Sequence, residues 1–281
     1  MSERFRAFSF VDRITRRAPG HIEGQYTVPM QTTRYPASLM AEAVGQLAAW
    51  WAMSSFDFTL RPVAGLAAQT RYHGIARPGQ TLMLQADITR CDAEAVAYGG
   101  RALIDGRCAL EIVDCVGPLL PMEEFDAPDA VRADFDTLCS SGAAAGRFGG
   151  VPAPRIEVAE HAAGRLLRAV LRIPPRDEAP YFGDHFPRRP VYPGTLLLDA
   201  LTGLATQLAD EKLRQRAAGA LTSILVTDVK IRAFTPPGAT LDLSVELIDA
   251  DAQRARLKLS ARGDGRAVAT ARIEIGAQEP S

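Results

Sequence analysis

One imidazole and two carboxylates in this chain sit where their surroundings give them chemical leverage. His185 lies in the stretch YFGDHFPRRPVYPG, in which Pro187, Pro190 and Pro193 exclude a helix interior before Gly194. The spacing predicts a turn carrying His185, a proline-bracketed strand, and an abrupt helix start. From Thr195 to Leu208 the chain is almost wholly apolar, with Asp199 inside the run. Glu42 sits in a similar run, ASLMAEAVGQLAAWWAMSSF, with Gln46 one turn further on the same face. A carboxylate among apolar side chains is costly to bury unless it is paired or used. Imidazole and carboxyl together supply a base and an acid that work near neutral pH. Residue types alone leave open whether Asp199 or Glu42 meets His185.

The remaining candidates are weaker. His21, His73 and His161 lack any comparable frame. Cys91, Cys108, Cys115 and Cys139 show no metal-ligand spacing, and free thiols in a reducing cytoplasm are the expectation. The 281 residues carry a net charge of −1, which points away from nucleic acid and from polybasic membrane binding. No secretory h-region opens the sequence, and the apolar runs are too interrupted to span a membrane. A cytoplasmic protein is expected.

The elements that must position these groups occur twice. AFSFVDRI, residues 7 to 14, is predicted as a short amphipathic helix on the spacing of Phe8, Val11 and Ile14. His21–Val28 alternates as a strand, and the Glu42 helix is apolar on most of its surface, as buried helices are. Val63–Val116 then reads as an antiparallel meander punctuated by Gly and Pro turns. Residues 123–153 read as a connector with a mobile Gly- and Ala-rich middle. After it the pattern returns. Pro36 and Pro193, and Glu42 and Asp199, stand 157 residues apart. Arg71 and Lys230, Pro78-Gly79 and Pro237-Gly238, and Asp105-Gly106-Arg107 and Asp264-Gly265-Arg266 stand 159 apart. So constant an offset marks a tandem duplication, with repeats at 1–122 and 154–281. Each repeat gives one buried helix and one antiparallel sheet, an α+β arrangement in which the sheets wrap the helices and join into one.

HFPRRPVYPGTLLLDA resembles the signature of the hotdog-fold 3-hydroxyacyl-[acyl carrier protein] dehydratases: His-Phe-Pro, then Pro-x-x-Pro-Gly, then a helix carboxylate fourteen residues after the His. Here these are His185, Phe186, Pro187, Pro190, Pro193, Gly194 and Asp199. VDRI, YPASLMAEAVGQLAAW and the later TRY-GIARPG of the first repeat are similar to the opening, central helix and third strand of the same family. The resemblance therefore implies a double hotdog. One departure shapes the rest: fourteen residues before Glu42 stands Val28.

In the family each site takes its His from one hotdog unit and its carboxylate from the other. Carried over, this implies one composite site of His185 and Glu42, and a vestigial one in which Val28 faces Asp199. Asp199 remains an alternative carboxylate. The implied reaction is dehydration of a 3-hydroxyacyl thioester, with His185 as base, Glu42 as acid and the Gly194 N–H stabilising the thioester oxygen. Phe186 and Tyr192 would shape the pocket, and Gln46 would orient Glu42 or a water. Arg188 and Arg189 would sit near the mouth, as carrier contacts or as solvated charges. Trp50 and Trp51 are expected in the core. No metal and no cofactor are implied; the substrate travels on an acyl carrier protein's phosphopantetheine or on CoA, and homo-oligomers of double-hotdog units are compatible with this. The alternatives are an enoyl-CoA hydratase of the same fold and a non-catalytic acyl-thioester-binding subunit. A thioesterase fits less well, because it does not need the His-Phe-Pro-Pro-Gly frame.

Overall fold

The computed structural model describes residues 7–144, 148–213 and 221–277. In the first repeat, β1 (Arg13–Ala18) and β2 (His21–Thr27) precede the central helix α1 (Ser38–Ser55). β3 (Leu60–Pro62), β4 (Leu66–Tyr72), β5 (Thr81–Cys91), β6 (Ala95–Ile104) and β7 (Arg107–Pro121) follow it. Helix α2 (Pro128–Cys139) lies between the repeats. The second repeat runs β8 (Arg155–Ala162), β9 (Leu166–Arg172), α3 (Gly194–Leu213), β10 (Leu221–Ile231), β11 (Thr240–Ala250), β12 (Arg254–Gly263) and β13 (Arg266–Ala277).

The strands form one antiparallel sheet in the order β1-β2-β5-β6-β7-β4-β10-β13-β12-β11-β9-β8, with β3 on β7. Read inward from either end, the order is the same set of repeat counterparts, so the sheet carries the internal two-fold that the sequence offset implies. The repeats meet where β4 pairs with β10, Thr70 opposite Val226 and Arg71 opposite Leu225. This is the α+β double hotdog.

Local chemistry explains the repeated punctuation. Asp105-Gly106 and Asp264-Gly265 have φ of 50° and 77°, and 48° and 74°, the left-handed pair that a tight hairpin demands. Each sheet half buries a helix, and α1 and α3 also pack on each other. α1 commits Leu39, Met40, Ala43, Val44, Leu47 and Ala48 to the core, and α3 commits Leu197, Leu201, Ala205 and Leu208. Gly100 lets α1 sit close to the sheet; a Cβ there would come within 2.6 Å of Val44 Cγ1. No helix among the described residues is long and apolar enough to cross a membrane.

Three expectations need correction. Residues 7–12 are not helical. They form an irregular strap running into β1, because Asp184 Oδ2 accepts hydrogen bonds from the Ala7 and Phe8 N–H groups, both at 2.9 Å. Gln46 Oε1 likewise takes the Phe10 N–H at 2.8 Å. The connector is not wholly irregular, since it contains α2. That helix starts on Pro128 and buries Val131, Phe135 and Leu138, with Phe135 against Trp50 and Phe58 at ring separations of 6.1 and 5.4 Å. Part of its Gly- and Ala-rich middle, residues 145–147, lies outside the described residues. Finally, no strand forms between Pro187 and Pro193. Those prolines supply no N–H groups for a ladder.

Candidate active site

Ahead of α3 the chain makes a 3₁₀ turn at Pro180–Gly183 and places His185 against the core. The His185 and Asp184 N–H groups return to Tyr181 O at 2.9 and 3.2 Å, and the Val191 N–H donates to His185 O at 2.9 Å. The His185–Phe186 peptide is cis, with the two rings stacked at 4.2 Å. Phe8 of the strap closes on the imidazole edge-on at 5.3 Å.

His185 Nδ1 lies 2.9 Å from Val191 O. A carbonyl only accepts, so Nδ1 carries the proton and Nε2 keeps its lone pair. Burial lowers the imidazole pKa below its ordinary 6.5, against the opposing pull of the Glu42 charge. The ring is therefore neutral at pH 7 and able to take a proton.

Glu42 is held from both sides. Thr195 Oγ1, on the first turn of α3, donates to Glu42 Oε2 at 2.8 Å, and Gln46 Nε2 donates to Oε1 at 3.0 Å. Gln46 is itself fully used, since Nε2 also reaches Phe8 O at 3.0 Å and Oε1 accepts from Phe10. The strap, the carboxylate and the start of α3 thus form one network across the repeats.

His185, Glu42, Gly194, Thr195, Gln46 and Phe186 all line one cavity of about 270 Å³. Gly194 is the first residue of α3, at the positive end of its dipole. On one side the cavity continues past Ala49, Trp50, Met53, Val96 and Tyr98; on the other it passes Ser38, Leu198, Asp199 and Thr202. Arg61 stacks on Phe186 at 4.2 Å.

Of the residues singled out in the sequence, the structure brings His185, Glu42, Gly194, Phe186, Gln46 and Asp199 to one cavity, with Gln46 bonded to Glu42. Tyr192 departs from expectation: it is buried behind the turn, 6.1 Å from Tyr181, and is not among the cavity's walls. Of the tryptophans, Trp50 lines the cavity, whereas Trp51 donates to Ala18 O at 3.0 Å. Arg188 and Arg189 are engaged by the segment after β7. Arg188 donates to Glu123 O at 3.0 Å, and Arg189 pairs with Glu124 at 2.6 Å and stacks on Phe234 at 4.6 Å.

Asp199 is spent differently. It forms an ion pair with Arg34, and burial still raises its pKa despite that partner. Val28 is fully buried away from the cavity. Sequence reasoning missed Arg34, Asp184, Thr195 and the strap; only Thr195, next to Gly194, carried a local signal.

Comparison with known proteins places this architecture. A FabA-like domain model matches residues 155–272, the second repeat. The FabZ 3-hydroxyacyl-[acyl-carrier-protein] dehydratase of Novosphingobium aromaticivorans is 33% identical over 125 residues, which cover 44% of this chain and 77% of that enzyme. The chain belongs to the hotdog-fold 3-hydroxyacyl-[acyl-carrier-protein] dehydratase family. A second FabZ dehydratase, of Thioalkalivibrio sulfidiphilus, is 32% identical over 121 residues, 41% of this chain and 80% of its own length. Both matches span less than half of this family member, as a duplicated chain matching single hotdog units would give. Among solved structures, a TesB protein of Mycobacterium avium subspecies paratuberculosis overlays with a TM-score of 0.60 at 13% identity, covering 94% of both chains. A hot dog fold protein of unknown function from Alicyclobacillus acidocaldarius gives 0.55 at 12% identity, covering 98% of both. At such identities these two speak for the fold alone.

Proposed function

We propose that this protein dehydrates 3-hydroxyacyl thioesters, carried on an acyl carrier protein, to trans-2-enoyl thioesters in the cytoplasm. The observation that carries the reading is the tautomer of His185, whose Nδ1–H is fixed on Val191 O so that Nε2 is left as a base in the cavity that Glu42 also lines. His185 takes the proton from C2. The electrons pass toward the thioester carbonyl, whose oxygen is met by the Gly194 N–H at the start of α3. As the C3–O bond breaks, Glu42, entering the step as the carboxylic acid, delivers its proton to the departing hydroxyl and water leaves. The proton taken up by His185 then restores the acid for the next turnover. Thr195 and Gln46 hold the Glu42 carboxyl in line, and Phe8 excludes water from the imidazole. No step draws on a metal or an organic cofactor. The carrier arm supplies the phosphopantetheine thioester, and homo-oligomers of the double unit are compatible with the reading. The experiment is the appearance of enoyl-thioester absorbance on adding 3-hydroxyacyl-carrier protein, with the CoA thioester in parallel. Absence of enoyl product from either carrier at every chain length contradicts the reading.

A further inference from the structure

The duplication lets each wall of the lapsed site be compared with its working counterpart. Ala37, Ser38, Asp199, Tyr72 and Ser223 line the same cavity as the dyad. They stand at the repeat positions of Gly194, Thr195, Glu42, Ile231 and Ala64, offset by the same 157 or 159 residues. The imidazole has gone, replaced by Val28, but the walls have not become apolar. Tyr72 stands for Ile231, Ser223 for Ala64, and Thr202 for Gly45. A lapsed site kept only for packing gains nothing from hydroxyls, which cost free energy when buried without partners.

Two groups here are placed to meet a ligand. Ser38 Oγ is buried without a hydrogen-bond partner among the described residues, and its residue is only 9% exposed. Its counterpart Thr195 makes the 2.8 Å bond to Glu42. The equivalent bond to Asp199 is not made, and Arg34 takes Asp199 Oδ2. Ser38, with an unused hydroxyl, and Asp199, with Oδ2 on Arg34, thus both belong to one polar arm of the cavity wall. Ser38 lies one helical turn from Glu42, about 6 Å along α1.

Resting on the dehydratase reading, we propose that this arm binds a hydroxyl carried farther along the acyl chain, so that the substrate class is oxygenated acyl thioesters. A hydroxyl satisfies both groups, accepting from Ser38 and donating to Asp199. A methyl group satisfies neither, and a carbonyl serves only the donor. A charged group of either sign finds the Asp199 charge already neutralised by Arg34 and gains nothing for its lost hydration.

The test separates binding from turnover. Octanoyl and decanoyl thioesters of N-acetylcysteamine, and their counterparts hydroxylated at mid-chain or at the end, have no 3-hydroxyl to lose. Calorimetry on the full chain gives their affinities. The expected result is a preference of about tenfold for a hydroxylated thioester, the worth of one or two buried hydrogen bonds. That preference should fall severalfold in Ser38→Ala and in Ser223→Ala, the latter restoring the counterpart's residue. Plain chains binding as tightly as hydroxylated ones, no binding of any of them, or a preference untouched in both variants overturns the proposal. A hydroxyl preference without turnover of any 3-hydroxyacyl thioester would sink the dehydratase reading instead.

Discussion

Glu42 and Asp199 occupy the same position in the two central helices, yet their carboxylates have different partners. Glu42 accepts from Thr195 and Gln46 and lines the cavity with His185. Asp199 is paired with Arg34, and the repeat position of His185 is held by Val28 in the first repeat. The groups that hold Glu42 are a hydroxyl and an amide, both neutral donors. Asp199 instead meets a guanidinium, which opposes the rise in its pKa that burial causes without cancelling it. Two acids at equivalent repeat positions are thus supplied with different partners.

The state of His185 sets an acid limb. Burial places its folded pKa below the ordinary 6.5, so the ring is a base down to a pH under that value. Profiles of kcat/KM against pH should fall on the acid side with an apparent pKa below 6.5. An acid limb above 7 would mean that Glu42 outweighs burial.

Gln46 links the strap to the carboxylate. Gln46→Ala leaves the Phe10 N–H and the Phe8 carbonyl without their partner, at about 1–3 kcal/mol per buried group. The melting temperature should drop, the strap should become sensitive to proteolysis, and kcat should fall by about tenfold as Glu42 loses its orientation. An unchanged kcat in a folded variant would show that Thr195 alone suffices.

Gly194→Ala separates folding from binding. The new methyl would meet Ile231 Cγ1 at 3.4 Å and Cδ1 at 3.5 Å, ordinary contact distances. Gly194 has no positive φ, so alanine is tolerated there and restricts the unfolded chain, a gain of about 0.4–1 kcal/mol. Stability should hold or rise, while KM for the thioester should rise about tenfold as the cavity wall thickens. Thermal melts and steady-state kinetics read the two effects separately.

Asp12, of the VDRI stretch, accepts the Thr27 N–H at 2.7 Å. Burial nevertheless raises its pKa to about 6 from 3.8. Since the folded value lies above the unfolded one, this group's stabilisation is fully present below pH 3.8 and is lost as the pH rises through about 6. Asp12→Asn should remove that pH dependence and be more stable than the parent at pH 7.5, by about 1–3 kcal/mol. Denaturant midpoints at pH 4.5 and pH 7.5 decide it.

The duplicated helix-and-sheet plan was legible because side-chain periodicity, turn chemistry and the constant offset are local or repeated signals. The pairing of His185 with Glu42 rather than with Asp199, the nearer in sequence, is what the family resemblance implies once the repeats are aligned; residue types alone leave both carboxylates open. The strap was misread because Phe8, Val11 and Ile14 have helical spacing. What pulls those residues out of a helix are Asp184 and Gln46, remote in sequence. Arg34 was invisible for the same reason, its partner lying 165 positions away. Tyr192 looked like a pocket wall from its place in the motif, but the prolines around it turn the ring into the core.

The single composite site is tested most directly by turnover of 3-hydroxyacyl-carrier protein in two isosteric variants, with folding checked by melting. Glu42→Gln should lower kcat by about 10²–10⁴-fold, the range for loss of an acid–base group. Asp199→Asn should cost stability, because Arg34 is left without its counter-charge, and should lower kcat by less than about tenfold. A larger loss in Asp199→Asn than in Glu42→Gln would place the acid on the wrong helix and contradict the account.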